Sequence, residues 1–290
     1  MPLPPGHGIL GRTEANMVYL AIDGGGSGCR AVLCDAEGRE LDRAEGGPAN
    51  IATDFAAALE SLRGLALRLI GDRPLDQVRA VLGVAGANLS GAAPRLEAAL
   101  PFRAKVVQDV TTSLRGALGT GDGIMAAIGT GSVFARQLGG QVTAIGGWGF
   151  RLGDEASGAW MGRLMLNRIT RMLDGYAPLS PLARAILADL GGGPGLVAFT
   201  LQKTPADHAL LVHRMAAAFD DPLSRHVLAE TRAELRAAIG LLQTDPPLPV
   251  VWLGGLGPTL ALTDWPRAEP LGTALDGAMA MARDPATWAA

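Results

Sequence analysis

The sequence predicts an α/β protein built from two similarly organised halves, and three observations support this fold class. Short apolar strands at 18–22 and 123–128 each run into a turn of glycine and hydroxyl residues. In both places a further strand follows the turn. The strand, turn and strand pattern thus occurs twice, about a hundred residues apart, which indicates a duplicated architecture. Later strands are separated by segments with apolar residues at helical spacing.

The first half begins with the apolar strand at 18–22, which ends at Asp23. Strands at 31–34 and 39–45 follow, so the glycines after Asp23 lie in a hairpin. The remaining predicted elements of this half are a helix over 55–70 with Thr53 or Asp54 as N-cap, a strand at 78–85, a short helix near 94–100, a strand at 104–108 and a helix over about 112–118. Asp109 precedes this last helix, where an aspartate is also well suited to be an N-cap.

The second half repeats the strand, turn and strand pattern and adds helices. Its predicted elements are strands at 123–128, 133–138 and 141–145, a helix over 157–173, helices through most of 181–242 with a break at 191–195, a strand at 250–253 and a final helix over 273–282. We expect a mobile extension over 1–16, an N-terminal domain over 17–115 and a C-terminal domain over 116–290. The C-terminal domain carries a helical insertion, its last helix closes the fold, and a cleft separates the two domains.

The composition is that of a folded protein without a basic surface for nucleic acid, since 18% of residues are charged and the net charge is -3. No apolar run approaches the roughly 20 residues of a membrane-spanning helix, and residues 1–16 lack the features of a secretory signal. We therefore expect a cytoplasmic protein with no membrane partner. Cys29 and Cys34 are expected to be reduced core thiols, and none of the four scattered histidines is expected to be catalytic.

The segment from Asp23 to Ser27 is the first candidate ligand site. Gly24, Gly25 and Gly26 have no β-carbon, so their amides can approach a ligand closely and form an anion nest. A carboxylate about 4 Å from a phosphate charge costs roughly 4 kcal/mol at an effective dielectric of ~20, so Asp23 beside a phosphate implies a cation. Mg²⁺ fits, because one or two carboxylates and substrate phosphates hold it through water. A tight turn without a ligand is the simpler interpretation of one such run.

A dinucleotide-binding domain must be weighed first, because residues 26–31 fit the pattern G-x-G-x-x-A. That motif requires a helix directly after the glycines, whereas the sequence continues as a strand. Two further glycine turns, at 129–132 and 254–257, each follow an apolar strand, and Asp109 lies between the first and second turns. This succession of motifs resembles the acetate and sugar kinase, Hsp70 and actin superfamily.

Within that superfamily the chain most resembles the N-acetylglucosamine and glucosamine kinases of the BadF/BadG/BcrA/BcrD ATPase group, over about 18–283. The most specific stretch is GGWG followed by LGDEASG, from Gly146 to Gly158. The resemblance implies a two-domain actin-like ATPase fold, made of duplicated ribonuclease H-like domains with the nucleotide cleft between them. It also implies ATP and Mg²⁺ as cofactors, an amino sugar as substrate and a homodimer as the assembly.

The resemblance further implies roles for individual positions. Asp109 corresponds to the catalytic base and Asp23 to the metal site. The positions implied for ATP are Gly24, Gly25, Gly26, Ser27, Gly129, Thr130, Gly131, Gly254 and Gly255. Those implied for the sugar are Asn50, Ala85, Gly86, Ser132, Gly147, Trp148, Gly149, Arg151 and Asp154. Trp148 could instead be a core residue, and Asp154 could also serve as a helix N-cap.

The implied reaction is transfer of a phosphoryl group from ATP to the 6-hydroxyl of N-acetylglucosamine or glucosamine, with Asp109 accepting the hydroxyl proton. The sequence does not decide between these sugars, N-acetylmuramic acid and glucose. One alternative is an ATPase that activates a partner reductase, whose relatives share an iron–sulfur cluster held by cysteines of each subunit. Another is a sugar-sensing regulator on the same fold, although no DNA-binding helix pair precedes Val18.

Overall fold

A computed structural model of the chain describes residues 16–88 and 91–289, and it divides into two compact units. One unit contains the described residues up to Thr120 together with the described residues from Pro270 onward, and the other spans Gly121–Glu269. The mobile extension predicted over 1–16 lies, except for Asn16, outside the described residues. The C-terminal segment therefore packs with the first unit, whereas the sequence-based domain boundary assigned it to the second.

The first unit is built on a five-stranded mixed sheet. Its strands are β1 (Val18–Gly24), β2 (Cys29–Cys34), β3 (Glu40–Gly46), β4 (Val78–Val84) and β5 (Arg103–Gln108). The sheet order is β3-β2-β1-β4-β5. The pairs β1–β2 and β2–β3 are antiparallel, whereas β4 and β5 run parallel to β1. Leu20, Ala21 and Ile22 of β1 are all fully buried, as expected for a central strand that is covered on both faces.

The second unit is built on a sheet of the same topology. Its strands are β6 (Gly123–Ile128), β7 (Ser132–Leu138), β8 (Gln141–Gly146), β9 (Val250–Leu253) and β10 (Arg267–Ala268). Read from the outer hairpin strand, their order β8-β7-β6-β9-β10 is the order of the first sheet, again with an antiparallel hairpin followed by parallel strands. This correspondence confirms the predicted duplication and the α/β fold class.

The helices of the described chain lie between or after these strands. They are α1 (Phe55–Ile70), α2 (Ala92–Ala99), α3 (Asp109–Leu118), α4 (Gly158–Leu173), α5 (Pro181–Leu190), α6 (Gly192–Gln202), α7 (Pro205–Ala217), α8 (Pro222–Leu242), α9 (Gly257–Leu260) and α10 (Ala274–Arg283), with 3-10 turns at Leu75–Gln77 and Pro285–Trp288. The bounds predicted for α1 are confirmed, and Asp54 is its N-cap because its side chain accepts a hydrogen bond from Ala57 N at 3.0 Å. The helix break predicted at 191–195 is confirmed only at Gly191, which lies between α5 and α6, because residues 192–195 begin α6.

The last helix, α10, packs closely on α3. A β-carbon on Gly277 of α10 would overlap the carbonyl oxygen of Thr112, and one on Gly116 of α3 would overlap that of Thr273. The two helix backbones therefore approach each other as only glycine allows. This contact is the physical reason why the C-terminal helix belongs to the first unit.

Two further expectations concern the cysteines and membranes. Cys29 and Cys34 are free thiols buried in the first unit, which confirms the prediction that they are core residues.

Within the described ranges, no single helix has the length and apolar character needed to cross a membrane, although α5 and α6, bent by 72°, meet that criterion when taken together.

Candidate active site

The end of β1 carries an ion pair at the first glycine turn. Asp23 lies opposite Arg30 in the β1–β2 register, and Arg30 Nη2 donates a hydrogen bond to Asp23 Oδ2 at 2.8 Å. The side chain of Asp23 is 19% exposed and that of Arg30 is 61% exposed, so the guanidinium group is the more solvent-accessible member of the ion pair. The sequence analysis did not single out Arg30, and the hairpin register is the signal that could have found it.

The glycines of the first turn serve different purposes. A β-carbon on Gly24 would stand 2.9 Å from Ala49 Cβ, so this glycine is required by packing inside the unit. Gly25 N donates to the carbonyl of Gly28 at 2.9 Å, which closes the turn. Gly26 has no atom within 4 Å of a β-carbon position and is exposed, as is Ser27. The open part of the predicted phosphate turn is therefore its tip.

Three of the predicted sugar positions lie beside this turn. Ala85 N donates to the carbonyl of Gly24 at 2.9 Å, and Ile51 N donates to the carbonyl of Ala85 at 3.0 Å. Gly86 has a φ of 85°, and a β-carbon there would stand 2.8 Å from Asn50 Oδ1. The first unit thus brings Asn50, Ala85 and Gly86 together at the end of β1.

The side chain of Asn50 has one end engaged and one end available. Its Oδ1 accepts hydrogen bonds from Ala52 N at 2.9 Å and Thr53 N at 3.3 Å. These bonds fix the amide plane in an Asx-type turn and leave Nδ2 as a donor that no described residue engages. An amide held in this way can donate to a ligand hydroxyl with little loss of side-chain entropy.

Asp109 is the first residue of α3, so the alternative interpretation of Asp109 as the N-cap is wrong. The N-cap position is Gln108, whose side chain makes no capping bond, and Asp109 Oδ1 accepts from Val110 N at 2.9 Å. The residue remains accessible to solvent, yet partial loss of hydration raises the pKa of its carboxyl and the negative charge of Asp23 raises it further. An accessible carboxylate with a raised pKa is suited to accept a proton.

In the second unit, the turn after β6 is fastened to the start of α4. Gly129 N donates to the carbonyl of Gly131 at 2.9 Å. Gly158 N and Ala159 N donate to the carbonyls of Gly129 and Thr130 at 2.8 and 3.1 Å. The carbonyls of the turn therefore face the helix, and the exposed Thr130 remains at its surface.

The third glycine stretch lies against the same turn. Leu256 N donates to the carbonyl of Ile128, the last residue of β6, at 3.0 Å. Gly254 has a φ of 81°, and a β-carbon there would overlap that carbonyl. Gly255 is exposed and has open space around its β-carbon position. The predicted phosphate turn and the predicted adenosine loop of the second unit are thus neighbours.

The predicted sugar residues of this unit converge on Asp154. Asp154 Oδ1 accepts from Gly149 N at 3.0 Å, and the Ser132 carbonyl accepts from Gly147 N at 3.0 Å. Ser132 Oγ donates to the carbonyl of Glu155 at 2.6 Å. Ser132 at the start of β7 is therefore hydrogen-bonded to the loop after β8, which carries Gly147, Gly149 and Asp154.

The backbone at Asp154 is strained. Its φ is 57° and that of Ala156 is 65°, in a region that side chains other than glycine rarely adopt and that costs about 1–3 kcal/mol for each residue. Asp154 is not the N-cap of α4, because Ser157 holds that position and accepts from Trp160 N at 3.1 Å. Strain held in place by surrounding hydrogen bonds is typical of a binding site.

Asp154 is 8% exposed, and this burial is the largest influence on the pKa of its carboxyl. Burial raises the pKa of its carboxyl, the Gly149 amide lowers it, Glu155 raises it again and Arg163 lowers it. In contrast, Trp148 in the same loop is 71% exposed, so the interpretation of Trp148 as a core residue is wrong. An aromatic ring presented to solvent beside a group of fixed polar atoms is a common arrangement for binding a sugar.

Comparisons with known proteins identify the family and relatives of the chain. The family model described as the BadF/BadG/BcrA/BcrD ATPase family matches residues 20–240. Glucosamine kinase GspK of Vibrio cholerae is 27% identical over 92% of this chain and 96% of its own length. An N-acetylmuramic acid/N-acetylglucosamine kinase of Clostridium acetobutylicum is 30% identical over 48% of this chain and 49% of its own length.

A solved structure extends the likeness to the whole fold. The crystal structure of a provisionally assigned N-acetylglucosamine kinase from Chromobacterium violaceum has a TM-score of 0.81 and 30% identity, covering 93% of this chain and all of that one. This likeness supports the predicted actin-like architecture for both units. With most of its length matched by one family model, the chain belongs to the BadF/BadG/BcrA/BcrD ATPase family.

Proposed function

We propose that this protein is an ATP-dependent sugar kinase that phosphorylates the 6-hydroxyl of an amino sugar, N-acetylglucosamine or glucosamine. The observation that carries the proposal is the position of Asp109: an accessible carboxyl with a raised pKa, close enough to Asp23 to be affected by its charge. The names of the relatives support a sugar as the phosphoryl acceptor, and they include both glucosamine and N-acetylglucosamine.

The residues of this chain would divide the work of phosphoryl transfer between them. A sugar hydroxyl is a poor nucleophile until a carboxylate within about 2.6–3.2 Å accepts its proton, and Asp109 would perform this step. The amides at the tip of the first turn and those of the turn after β6 would bind phosphate oxygens. Gly254 and Gly255 would leave room for the nucleoside.

The donor set suits a Mg²⁺ ion that substrate phosphates help to hold. In the described part of the chain, no three His, Cys, Asp or Glu side chains are grouped to bind a metal, which argues against a cage made wholly of protein ligands. Asp23 would hold Mg²⁺ directly or through water, as this ion is usually bound in nucleotide sites. When bound, the ion would neutralise charge on the phosphates.

The sugar would contact short polar groups whose positions are fixed by hydrogen bonds. Asn50 Nδ2 can donate, and the carboxyl of Asp154, whose Oδ1 accepts from Gly149 N and whose Oδ2 lies against Gly131, is an acceptor held in a fixed position. Trp148 would cover one face of the ring. Fixed groups of this kind lose little entropy when they bind, which supports selective recognition of hydroxyls.

The alternative of an ATPase that activates a partner reductase is less well supported. It requires cysteine thiolates available at a subunit surface, whereas Cys29 and Cys34 are both buried and burial raises the pKa of each thiol. The homodimer and the cytoplasmic location that the sequence analysis expects stay predictions.

The test is release of ADP by the purified protein with magnesium and ATP, measured for N-acetylglucosamine, glucosamine, N-acetylmuramic acid, glucose and a blank without sugar. We expect strong stimulation by one of the two amino sugars and a phosphorylated product at its 6-position, identified by NMR. Equal ATP hydrolysis with every sugar and with the blank would overturn the kinase proposal and favour the activating ATPase.

A further inference from the structure

The loop that carries Gly147 and Asp154 is anchored through the ring of Phe150. This ring contacts the imidazole of His208 on α7, with centroids 4.9 Å apart and planes tilted by 51°. Arg163 of α4 approaches the same ring, with its Cζ 4.9 Å from the centroid, and its Nη1 donates to the carbonyl of Phe150. Phe150 is therefore held by two different helices.

His208 is fully buried, and its own position is fixed on several sides. Phe199 of α6 packs edge-on against the imidazole, with centroids 5.1 Å apart. His208 Nδ1 lies 2.9 Å from the carbonyl of Thr204, and because a carbonyl can only accept, Nδ1 carries the proton. The ring is thus held in one tautomer and one orientation.

The backbone at His208 cannot shift toward or away from α4 without loss of packing. A β-carbon on Gly162 of α4 would overlap the carbonyl oxygen of His208, so the two helices meet at a glycine contact. Gly158, one turn earlier on α4, faces Ala209 in the same way, with 3.0 Å between its β-carbon position and Ala209 Cβ. The imidazole therefore stands on a rigid pair of helices.

One atom of this ring is not used. His208 Nε2 is buried and has no hydrogen-bond partner among the described residues. A buried acceptor without a partner costs free energy that a phenylalanine ring at this place would avoid. The contribution of His208 to the loop is therefore made by its flat ring and by the Nδ1 bond that orients the ring, and not by Nε2.

We propose that His208 is a positioning residue for the sugar site. Through its contact with Phe150 it holds the loop from Gly147 to Asp154 in the geometry in which Gly149 N reaches Asp154 Oδ1. The residue touches no ligand, since it has no exposed surface. The identity of the ligand as a sugar rests on the proposed function, whereas the anchoring of the loop does not.

The anchoring can be tested without activity, because Arg151 lies at the exposed tip of this loop and offers a trypsin site. We expect cleavage after Arg151 to be about tenfold faster in His208→Ala than in the unmodified protein, since the loop opens more often once Phe150 loses its support. His208→Phe keeps a flat ring against Phe150 but lacks the Nδ1 bond to Thr204, so it should restore most of the slow cleavage. Met215→Ala is the control, because it removes another buried side chain on the same face of α7, two turns away.

Kinetics provide the second readout. His208→Ala should raise the KM for the sugar about tenfold and leave the KM for ATP within twofold, while His208→Phe and Met215→Ala keep the sugar KM close to its original value. Equal cleavage rates after Arg151 in His208→Ala and Met215→Ala would overturn the proposal, because His208 would then serve only general stability. Absence of any sugar-dependent activity in the unmodified protein would instead overturn the proposed function and leave the cleavage result standing.

Discussion

Gly131 lies directly against the carboxylate of Asp154, such that a β-carbon on Gly131 would stand 2.9 Å from Asp154 Oδ2. The contact joins the turn after β6, where phosphate is expected, to the residue expected to bind the sugar. Asp154 cannot easily move aside, because Gly149 N holds its Oδ1 and its backbone is already strained. Gly240 offers a comparison in the same unit, since it is exposed on α8 and a β-carbon there would meet no atom within 4 Å.

Gly131→Ala should displace the Asp154 carboxylate by a few tenths of an ångström or more. Small misplacements in a preorganised site are costly, so we expect kcat/KM for the sugar to fall about tenfold to a hundredfold. Neither glycine has a positive φ, so the added methyl group and not backbone strain is tested. Steady-state kinetics should show nearly unchanged activity in Gly240→Ala, and equal losses in the two variants would contradict the role assigned to this contact.

Asp109→Asn removes the proposed proton acceptor while keeping the shape of the side chain. General base catalysis contributes about 10²–10⁴-fold, and we expect kcat to fall by a factor in that range while the KM for the sugar changes little. The amide oxygen can still accept from Val110 N, so the start of α3 should remain intact. Isothermal titration with sugar would confirm that binding survives, and a variant with full activity would refute the assignment of Asp109.

The raised pKa of Asp109 also predicts the pH dependence of activity. Because the base works as the carboxylate, activity should fall as the pH drops through this raised pKa, at a higher pH than for an ordinary carboxyl. Asp23 contributes to the raised value through its negative charge. Asp23→Asn should therefore move the acid limb of the profile to lower pH and raise the Mg²⁺ concentration needed for half-maximal rate. Profiles measured at saturating Mg²⁺ separate the two effects, and an unmoved acid limb would exclude the coupling.

The raised pKa of Asp109 also affects the stability of the folded protein, and this effect can be measured without substrate. A carboxyl whose pKa is raised on folding binds more protons in the folded state, so its contribution to stability decreases as the pH rises from the unfolded value of 3.8 through the folded pKa. Asp109→Asn should therefore have a higher Tm than the unmodified protein at pH 7.5, with the difference shrinking as the pH falls through this window.

Asp35, also in the first unit, has a lowered pKa, in contrast to the raised pKa of Asp109. Burial raises its pKa, but the hydrogen bonds from Arg39 N and the Arg39 side chain together outweigh burial and lower it. Asp35→Asn should therefore lower the Tm at pH 7.5. A decrease in Tm for both variants would show that Asp109 is stabilising, contrary to the sign derived above.

Local sequence signals predicted much of the fold because they act over a few residues. The apolar spacing and the capping aspartate fixed the bounds of α1, and the apolar run at 250–253 fixed β9. The strand β10 was missed because two residues carry no periodicity, and α9 was missed because four residues beginning with Gly-Pro read as a loop. The packing of α10 on α3 was also missed, since it depends on glycines far apart in the chain.

The candidate site shows the same division between local and distant information. Residue type and order single out the glycine turns and Asp109 as candidates, and the resemblance implies their roles and adds Asn50 and Gly86. No local pattern indicates that Phe150 meets His208, because the contact requires α4 and α7 to pack side by side. The register that pairs Asp23 with Arg30 was within reach of the sequence, since both residues flank one predicted hairpin turn.

The close approach of α10 to α3 yields a final prediction on stability. Gly277→Ala would drive a methyl group into the carbonyl of Thr112, and such overpacking costs about 1–3 kcal/mol. Gly64→Ala is the control, because Gly64 lies in α1 with nothing within 4 Å of its β-carbon position, and the gain in helix propensity is about 1 kcal/mol. Thermal unfolding should therefore show a lower Tm for Gly277→Ala and a higher Tm for Gly64→Ala. An unchanged Tm in Gly277→Ala would mean that the C-terminal helix does not hold the first unit together.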